Sequence, residues 1–568
     1  MHEYFKIIQR LFYSIGIIML LSFVSAFAQV QSSHLTPENI IQYYQNLRAG
    51  NIHTAAEIIG DTMHSHKCGF GVTSQLLNQW KNFTVLQKQQ LKAVLQQTSS
   101  QCDTIIGHFH IYYDTSGMNT PALLDVNNNR IEGTAKAYVD SVGAIFNHVW
   151  DVEIGGLGFS APPFETGQTA YNIFIIELSG EDYGGTNFAD TLSSGPPFHC
   201  TTNIDIDNDF AEYSTKGIPA LEVTAAHEFH HAIQIGSYGY WGDDERYAYE
   251  MTSTWMESYV YPAVLDYYQY LHDYFYGFST GLPLYSTAYG GYERVVWAQF
   301  LAKRFGIGIM KDTWNHMATE RYIESAQNAI AEHGSMLSDE FAQFAYWNYF
   351  TADRADISKS YSNGYNYPRF SPSQSAVYSG ASSMLSDYAE PLSVTMNNFI
   401  VNKDTITAVI VNDDINAALQ RSTSTQAITI TVGSNPLSAP SQSLSNGLYA
   451  GYSADHTDIW RTFYLESTTH TNAFAANSAA LPNPFNMEET NRLVLPVPNE
   501  TSDFATVSFI STSMNSVFSR QFNTSIEFGK RSIAVPTSLL KSKLSSGIYF
   551  VIATVNGNEY KWKVAVIK

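Results

Sequence analysis

The sequence has few cysteines and few basic residues for its length. Its three cysteines, Cys68, Cys102 and Cys200, exclude a disulfide framework, because at most one pair can form. Cys68 and Cys102 close the shortest loop, so we expect that pair and a free Cys200. Lys and Arg total 31 against 52 Asp and Glu, a formal net charge of −21. This balance, without any basic block, argues against nucleic-acid binding.

Long apolar runs are absent after the first 28 residues. Near the N-terminus, Lys6 and Arg10 precede an apolar stretch from Leu11 to Val24, which Ala26-Phe27-Ala28 follows. The stretch covers 14 residues, whereas a membrane-spanning helix needs roughly 20. Residues 1–28 are therefore expected to be a secretory signal peptide, and the mature chain is expected to be exported, with no transmembrane segment.

Length and composition predict a multidomain α+β protein. The 568 residues exceed what one hydrophobic core organises, and aromatic residues make up 14% of the chain, so we expect several densely folded units. Residues 29–105 read as a helical N-terminal region or propeptide, and residues 106–358 mix strands with helices. Residues 359–472 are rich in short strands. Residues 481–568 read as an antiparallel β-sandwich behind a small polar linker, residues 472–481.

A His-Glu-x-x-His motif is the strongest functional signal. On a predicted helix, His227 and His231 are four residues apart and share one face, where both imidazoles can bind one zinc ion. Glu228 lies one step around the helix, close enough to accept a proton from a zinc-activated water without binding the metal. The motif therefore predicts a zinc-dependent hydrolase with Glu228 as its general base.

A hydrolytic zinc site takes three protein ligands and keeps one position open, so a third ligand is required. In the metzincin metallopeptidases, Gly and His stand at the third and sixth positions after the second His. This chain has Gln234 and Ser237 there, which excludes the metzincin pattern. Eighteen residues separate His231 from Glu250, a spacing that resembles that of the gluzincin metallopeptidases, and this resemblance implies Glu250 as the third ligand. Glu257, about two helical turns further, is the alternative ligand, or a carboxylate that orients one of the histidines or holds the helix, or an ordinary surface or capping carboxylate.

These residues resemble the gluzincin metallopeptidases, in which a Glu on the next helix completes the zinc site. The resemblance rests on Ala226–Gln234, Glu250 and Thr254–Glu257, and it covers about residues 106–350. It implies a zincin-type catalytic domain, a mixed sheet with active-site helices, in a secreted bacterial zinc endopeptidase that acts on protein or peptide substrates. The Gly-x-Met-Glu-Asn motif of gluzincin aminopeptidases is absent, which favours an endopeptidase over an aminopeptidase.

Tyr292 is the candidate for stabilising the oxyanion that forms during hydrolysis. The segment Ala288–Arg294 resembles the Tyr-Glu-Lys-Gly segment that carries this role in gluzincin aminopeptidases. The resemblance implies that the Tyr292 hydroxyl donates a hydrogen bond to the oxyanion. Tyr289 is the alternative donor, and packing is the alternative role for either side chain.

Three further patterns carry weaker metal signals. Asp125–Asn129 and Asp205–Asp209 alternate oxygen-bearing side chains as calcium loops do, but neither completes an EF-hand, so polar turns and Ca²⁺ sites both remain open. His64, His66 and Cys68 form a His-x-His-x-Cys run, which we interpret as incidental.

The last segment has its own signature. Leu481-Pro482-Asn483-Pro484-Phe485 opens it, Ser546-Gly547-Ile548-Tyr549 begins a strand, and Asn556-Gly557 predicts a hairpin turn before a lysine-bearing final strand. Together these elements resemble the C-terminal sorting domain of type IX secretion cargo. That resemblance implies passage through the periplasm to the cell surface or medium, with the outer-membrane secretion machinery as a partner. An accessory binding module is the alternative.

The sequence therefore leaves two classes of function. The first is a secreted zinc endopeptidase, and the second is a cell-surface adhesin or binding protein whose zinc site is structural or inactive. A coordination position open to water, together with proteolysis that depends on Glu228, separates the two.

Overall fold

The computed structural model describes residues 35–568 with gaps. It leaves out residues 60–66, 96–99, 180–181, 194, 279–281, 287–289, 359, 371–373, 379–381, 390, 402–403, 413–425, 434–441, 445–447, 451–461, 469–482, 489, 498–503, 513–514, 528–529 and 556–557. The expected signal peptide and linker, together with His64, His66, Tyr289 and the Asn556-Gly557 turn, lie outside the described residues.

The described residues divide into two compact units. The first holds nearly all described residues up to Phe370, and the second holds those from Gln374 onward. The described part of residues 29–105 is mostly helical, with a strand from Cys102 at its end, and it falls in the same compact unit as residues 106–358. The mixed α+β class predicted from the sequence is confirmed.

The first unit begins with four helices and continues into a five-stranded sheet. The helices are α1 (Pro37–Arg48), α2 (Ile52–Ile59), α3 (Phe70–Gln79) and α4 (Val85–Leu95). The sheet strands are β1 (Cys102–Ile106), β2 (Phe109–Tyr113), β5 (Tyr171–Ile176), β6 (Gly184–Thr191) and β7 (Cys200–Asp207), and a small hairpin, β3 (Leu123–Leu124) and β4 (Arg130–Ile131), precedes β5.

The sheet is mixed, in the order β1-β2-β5-β7-β6. Its central strand β5 pairs in parallel with β2 and β7, while the outer pairs β1/β2 and β6/β7 are antiparallel. The β5 sequence, Tyr-Asn-Ile-Phe-Ile-Ile, is nearly continuously apolar because a strand with parallel neighbours on both sides is covered on both faces. Strands β1 and β6 are the two edges of this sheet, and β6 lies next to the site described below.

Further helices complete the first unit. They are α5 (Ala135–Trp150), which precedes β5, and then α6 (Gly217–Ile233), α7 (Arg246–Val260), α8 (Tyr268–Phe278), α9 (Val295–Phe305), α10 (Gly308–Met317), α11 (Tyr322–Glu332) and α12 (Leu337–Tyr349). Helix α6 packs against β6 and β7 on one side and against α5 and α7 on the others. It is therefore a central helix, and every residue from Val223 to Ile233 is buried.

The second unit is built from strands. Residues 374–468 form two four-stranded sheets from β8 (Gln374–Tyr378), β9 (Ser382–Ala389), β10 (Ser393–Val401), β11 (Asp404–Asn412), β12 (Gln426–Gly433), β13 (Gln442–Leu444), β14 (Leu448–Ala450) and β15 (Thr462–Thr468). The C-terminal strands are β16 (Phe485–Asn486), β17 (Arg492–Pro496), β18 (Phe504–Ser511), β19 (Ser516–Glu527), β20 (Lys530–Pro536), β21 (Gly547–Val555) and β22 (Asn558–Ile567), with the short helix α13 (Thr537–Leu540) between β20 and β21.

The C-terminal sheet differs from the predicted antiparallel sandwich in two respects. Its seven strands follow one continuous order, β16-β22-β21-β18-β19-β20-β17, because the long strand β19 pairs with β18 and also with β20. The pair β16/β22 is parallel, whereas the other pairs are antiparallel. The alternation that predicted the last hairpin is present, since Val564 and Val566 are buried in the core.

Candidate metal centre

The His-Glu-x-x-His motif lies near the C-terminal end of the buried helix α6. The 3.6-residue period of the helix places His227 and His231 on one face, and their Nε2 atoms are 3.1 Å apart. The third histidine, His230, points elsewhere and contacts Glu153 through Nδ1 at 2.7 Å. The motif therefore presents two imidazoles, not three, to a single point.

Helix α7 brings Glu250 to the same point. Its Oε2 atom lies 3.2 Å from His227 Nε2 and 3.3 Å from His231 Nε2. All three side chains are buried. The structure thus brings together the three residues that the sequence predicts as zinc ligands.

Contacts at the two Nδ1 atoms determine which ring nitrogen of each histidine carries a proton. His227 Nδ1 contacts the Glu257 carboxylate at 2.7 Å, and His231 Nδ1 contacts Gln234 Oε1 at 2.7 Å. The Gln234 amide is oriented by its own NH₂ group, which donates to the Tyr249 carbonyl. Both Nδ1 atoms therefore face acceptors and donate their protons outward. This is the contact that an orienting Glu257 would make.

The resulting donor set fits a divalent cation. With both protons on Nδ1, the two Nε2 lone pairs and a Glu250 carboxylate oxygen point at one another across 3.1 to 3.3 Å. Such an arrangement is repulsive unless a positive charge lies between the atoms. Zinc bonds of about 2.0–2.2 Å to nitrogen and oxygen place ligand atoms about 3.3 Å apart at tetrahedral angles, which matches these separations.

Without a metal ion, a proton on His227 supplies part of the positive charge between these atoms. Burial lowers the pKa of the His227 imidazole, but hydrogen bonds to Glu250 and Glu257 outweigh it and raise that pKa to about 9. Burial raises the pKa of the Glu250 carboxyl, but the two histidines lower it to about 2. Without a metal ion, a protonated His227 therefore pairs with the Glu250 and Glu257 carboxylates.

Glu228, on helix α6, lies beside the three candidate ligands. It is buried, and its Oε2 atom accepts a hydrogen bond of 2.8 Å from the Thr186 hydroxyl on β6. Burial raises the pKa of the Glu228 carboxyl. Glu228 is not among the side chains whose ligand atoms converge, which include His227, His231 and Glu250. Its buried carboxylate therefore lies near the converging atoms without belonging to them.

Cys68 is the residue of the centre that sequence reasoning missed. Its sulfur joins His227, His231 and Glu250 in one buried group whose ligand atoms all lie within 4.8 Å of one another. Cys68, Cys102 and Cys200 are all free, so the expected Cys68–Cys102 disulfide is wrong. Cys68 is also the one residue of the His-x-His-x-Cys run that the structure describes, and it lies beside the predicted ligands.

Tyr292 lies against the centre. It opens a short 3₁₀ helix, Tyr292–Arg294, and its buried ring stacks on the His227 imidazole with centroids 5.7 Å apart. Burial, reinforced by the nearby Glu250 carboxylate, raises the pKa of the Tyr292 hydroxyl. The hydroxyl therefore keeps its proton and has one to donate.

The two candidate calcium loops are internally hydrogen-bonded. Asp125 Oδ1 accepts the backbone N–H groups of Asn127 and Asn129, as in an Asx turn. In the second loop, Asp207 accepts backbone N–H groups from Leu178, Asp209 and Phe210, while Asp205 pairs with Arg48 at 2.9 Å. The first pattern is thus a polar turn, whereas in the second Asp205 and Asp207 lie on strand β7.

No protein-family model matches this chain, and no curated protein matches it significantly. None of the helices in the described part of the chain combines the length and the hydropathy that a membrane span requires. The arrangement of side chains therefore carries the functional argument.

Proposed function

We propose that this chain is a secreted zinc-dependent endopeptidase. The observation that carries the proposal is the convergence of His227 Nε2, His231 Nε2 and Glu250 Oε2 beside the buried carboxylate of Glu228. Two neutral imidazoles and one carboxylate would leave a bound zinc ion with one net positive charge. Bound there, zinc supplies a Lewis acid that lowers the pKa of a coordinated water to about 7.

Glu228 carries the proton in this proposal. Its carboxylate takes the proton from the attacking water and later delivers it to the leaving amine. Thr186 holds Glu228 by its hydroxyl and so fixes which oxygen remains free to exchange the proton. The raised pKa of Glu228 suits this role, since a general base works best when its pKa is close to the working pH.

The side chains around the ligands keep the donor set in place. Glu257 and Gln234 hold the two imidazoles by Nδ1, which leaves both Nε2 lone pairs for the metal. The Tyr292 hydroxyl, which retains its proton, would donate to the oxyanion of the tetrahedral intermediate. We retain two alternatives, an aminopeptidase and a binding protein with a structural or inactive zinc site.

Metal removal tests the proposal. Stripping the purified chain with a chelator should abolish casein hydrolysis, and adding back one equivalent of Zn²⁺ should restore it, because the charge that activates the water leaves with the metal. The assay uses the full chain and also the form that accumulates in the growth medium, since residues 29–105 are a candidate propeptide. Hydrolysis that persists in the metal-free protein would contradict the proposal. Free amino acids released one at a time from the N-terminus would instead indicate an aminopeptidase.

We also propose that residues 481–568 direct export through the periplasm by the outer-membrane secretion machinery. The described part of this segment has its own hydrophobic core, formed by residues that include Phe485, Val507, Ile533, Val551 and Val564. None of the metal-centre side chains belongs to it. A segment with its own core and no catalytic residue is the kind of unit that a sorting role requires.

Truncation distinguishes sorting from substrate binding. Deleting residues 481–568 should leave zinc content and casein hydrolysis unchanged while the protein accumulates in the periplasm. Fractionation of expressing cells, with zinc and activity measured in each fraction, checks both halves of this expectation. Normal appearance of the truncated chain in the medium would overturn the sorting role, and slower turnover of large substrates would favour a binding module.

A further inference from the structure

Cys68 completes a set of four metal-ligating side chains. Its sulfur lies 4.0 Å from Glu250 Oε2. A zinc–sulfur bond of about 2.3 Å and a zinc–oxygen bond of about 2.1 Å sum to about 4.4 Å, so one ion can contact both atoms. The Cys68 side chain is 1% exposed, which leaves its sulfur facing the centre and not the solvent.

The backbone around Cys68 lies along the edge strand β6. The Lys67 carbonyl accepts a hydrogen bond of 2.9 Å from the Tyr183 N–H, and the Gly69 N–H donates to the Gly184 carbonyl at 2.8 Å. Cys68 and Gly184 therefore form a parallel β-bridge. An edge strand beside a peptidase centre offers its backbone groups to an extended peptide, and in this chain residues 67–69 occupy those groups.

Side chains on both sides of Cys68 hold this segment. Lys67, itself buried, makes ion pairs with Glu257 and, at 2.5 Å, with Asp266. On the other side, the Phe70 ring stacks on the His231 imidazole with centroids 4.2 Å apart. Glu257 thus contacts both His227 and Lys67, which links the position of the segment to the orientation of a metal ligand.

A backbone contact also orients the sulfur. The Phe70 backbone N–H donates to Cys68 Sγ at 3.3 Å. Cysteine binds metals as the thiolate, and here the charge of the bound ion would have to remove the proton, because burial raises the pKa of the Cys68 thiol. A divalent cation deprotonates a thiol that coordinates it.

We propose that Cys68 is the fourth protein ligand of the zinc site. A site with four protein ligands is closed, whereas hydrolysis needs one position for water. It follows that the N-terminal region keeps the full chain inactive. The coordination position for water becomes free when Cys68 moves away from the metal ion. The ligand assignment stands on geometry alone, while the latency rests on the proposed peptidase function.

Cobalt substitution tests the ligand assignment without an activity assay. The full chain, stripped and reloaded with Co²⁺, should show a sulfur-to-cobalt charge-transfer band in the near ultraviolet. Cys68→Ala and Cys68→Ser should lack the band while still binding Co²⁺ through the other three ligands. The matched control is Cys102→Ala, because Cys102 lies in β1 and is not part of the metal centre. A wild-type chain that binds one equivalent of Co²⁺ without the band would overturn the assignment, whether or not the variants fold.

Casein hydrolysis by the same proteins tests the latency. Zinc-loaded Cys68→Ala should be at least about tenfold more active than the full wild-type chain, the ratio that each 1.4 kcal/mol of preference for thiolate over water produces. Equal activity of the wild-type chain, Cys68→Ala and Cys102→Ala would overturn the latency and leave the peptidase function standing. A Cys68→Ala chain that holds zinc but cleaves nothing would instead overturn the peptidase function.

Discussion

Replacing Glu228 by glutamine should lower kcat for casein about 10²–10⁴-fold, the usual contribution of a general base, while the chain keeps its zinc. Glutamine preserves the volume of the buried side chain but cannot take up a proton at neutral pH. The Thr186 hydroxyl can still donate to the amide oxygen, so the side chain should stay in place. The measurement is kcat at saturating substrate together with zinc per chain, in the wild-type and Cys68→Ala backgrounds.

The matched control for this substitution is Glu222→Gln. Glu222 lies on the same helix α6 but is partly exposed and outside the metal centre. Its replacement should change kcat little. If Glu228→Gln retained full proteolysis, the proposed role of Glu228 would be excluded, and equal losses in both variants would indicate a general effect on the helix.

Glu250→Ala should weaken zinc binding far more than Glu257→Ala. Removing Glu250 takes away one of the atoms that converge on the metal and its compensating negative charge. Removing Glu257 leaves the donor set intact but takes away the contacts with His227 and Lys67, and losing a contact that orients a ligand typically costs about 10–100-fold in metal affinity. We therefore expect the loss for Glu250→Ala to exceed that range.

Competition with a chromogenic chelator measures both zinc affinities. Circular dichroism must first show that both variants fold, because Glu257→Ala also removes one of the two carboxylates that contact buried Lys67. Glu257→Gln provides the isosteric comparison. Equal zinc retention by Glu250→Ala and Glu257→Ala would reverse the assignment of ligand and orienting residue.

The part of the site that the sequence predicts lies on two helices close in the chain. His227 and His231 meet because the helical period repeats over four residues, a local property that spacing alone reveals. Glu250 follows from a spacing rule, and its geometry in the structure agrees with that rule. For Glu257 the sequence leaves several roles open, and its contact with His227 Nδ1 agrees with the orienting role.

Cys68 could not be predicted in the same way. It reaches the centre through backbone pairing with Gly184, more than a hundred residues away in the sequence, and strand pairing at that distance leaves no periodic signal. The shortest-loop argument for a Cys68–Cys102 disulfide failed because it considered only separation along the chain. Strand alternation likewise predicted the C-terminal hairpin but not the parallel pair β16/β22, which joins the two ends of that segment.

Anomalous diffraction at the zinc edge, from crystals of the full chain purified with one equivalent of Zn²⁺, tests the central claim most directly. We predict one strong peak within about 2.0–2.3 Å of His227 Nε2, His231 Nε2, Glu250 Oε2 and Cys68 Sγ. A peak that contacts only the first three of these atoms would retain the peptidase site and remove Cys68 from it. Stoichiometric zinc with no peak between His227 and His231 would contradict the account.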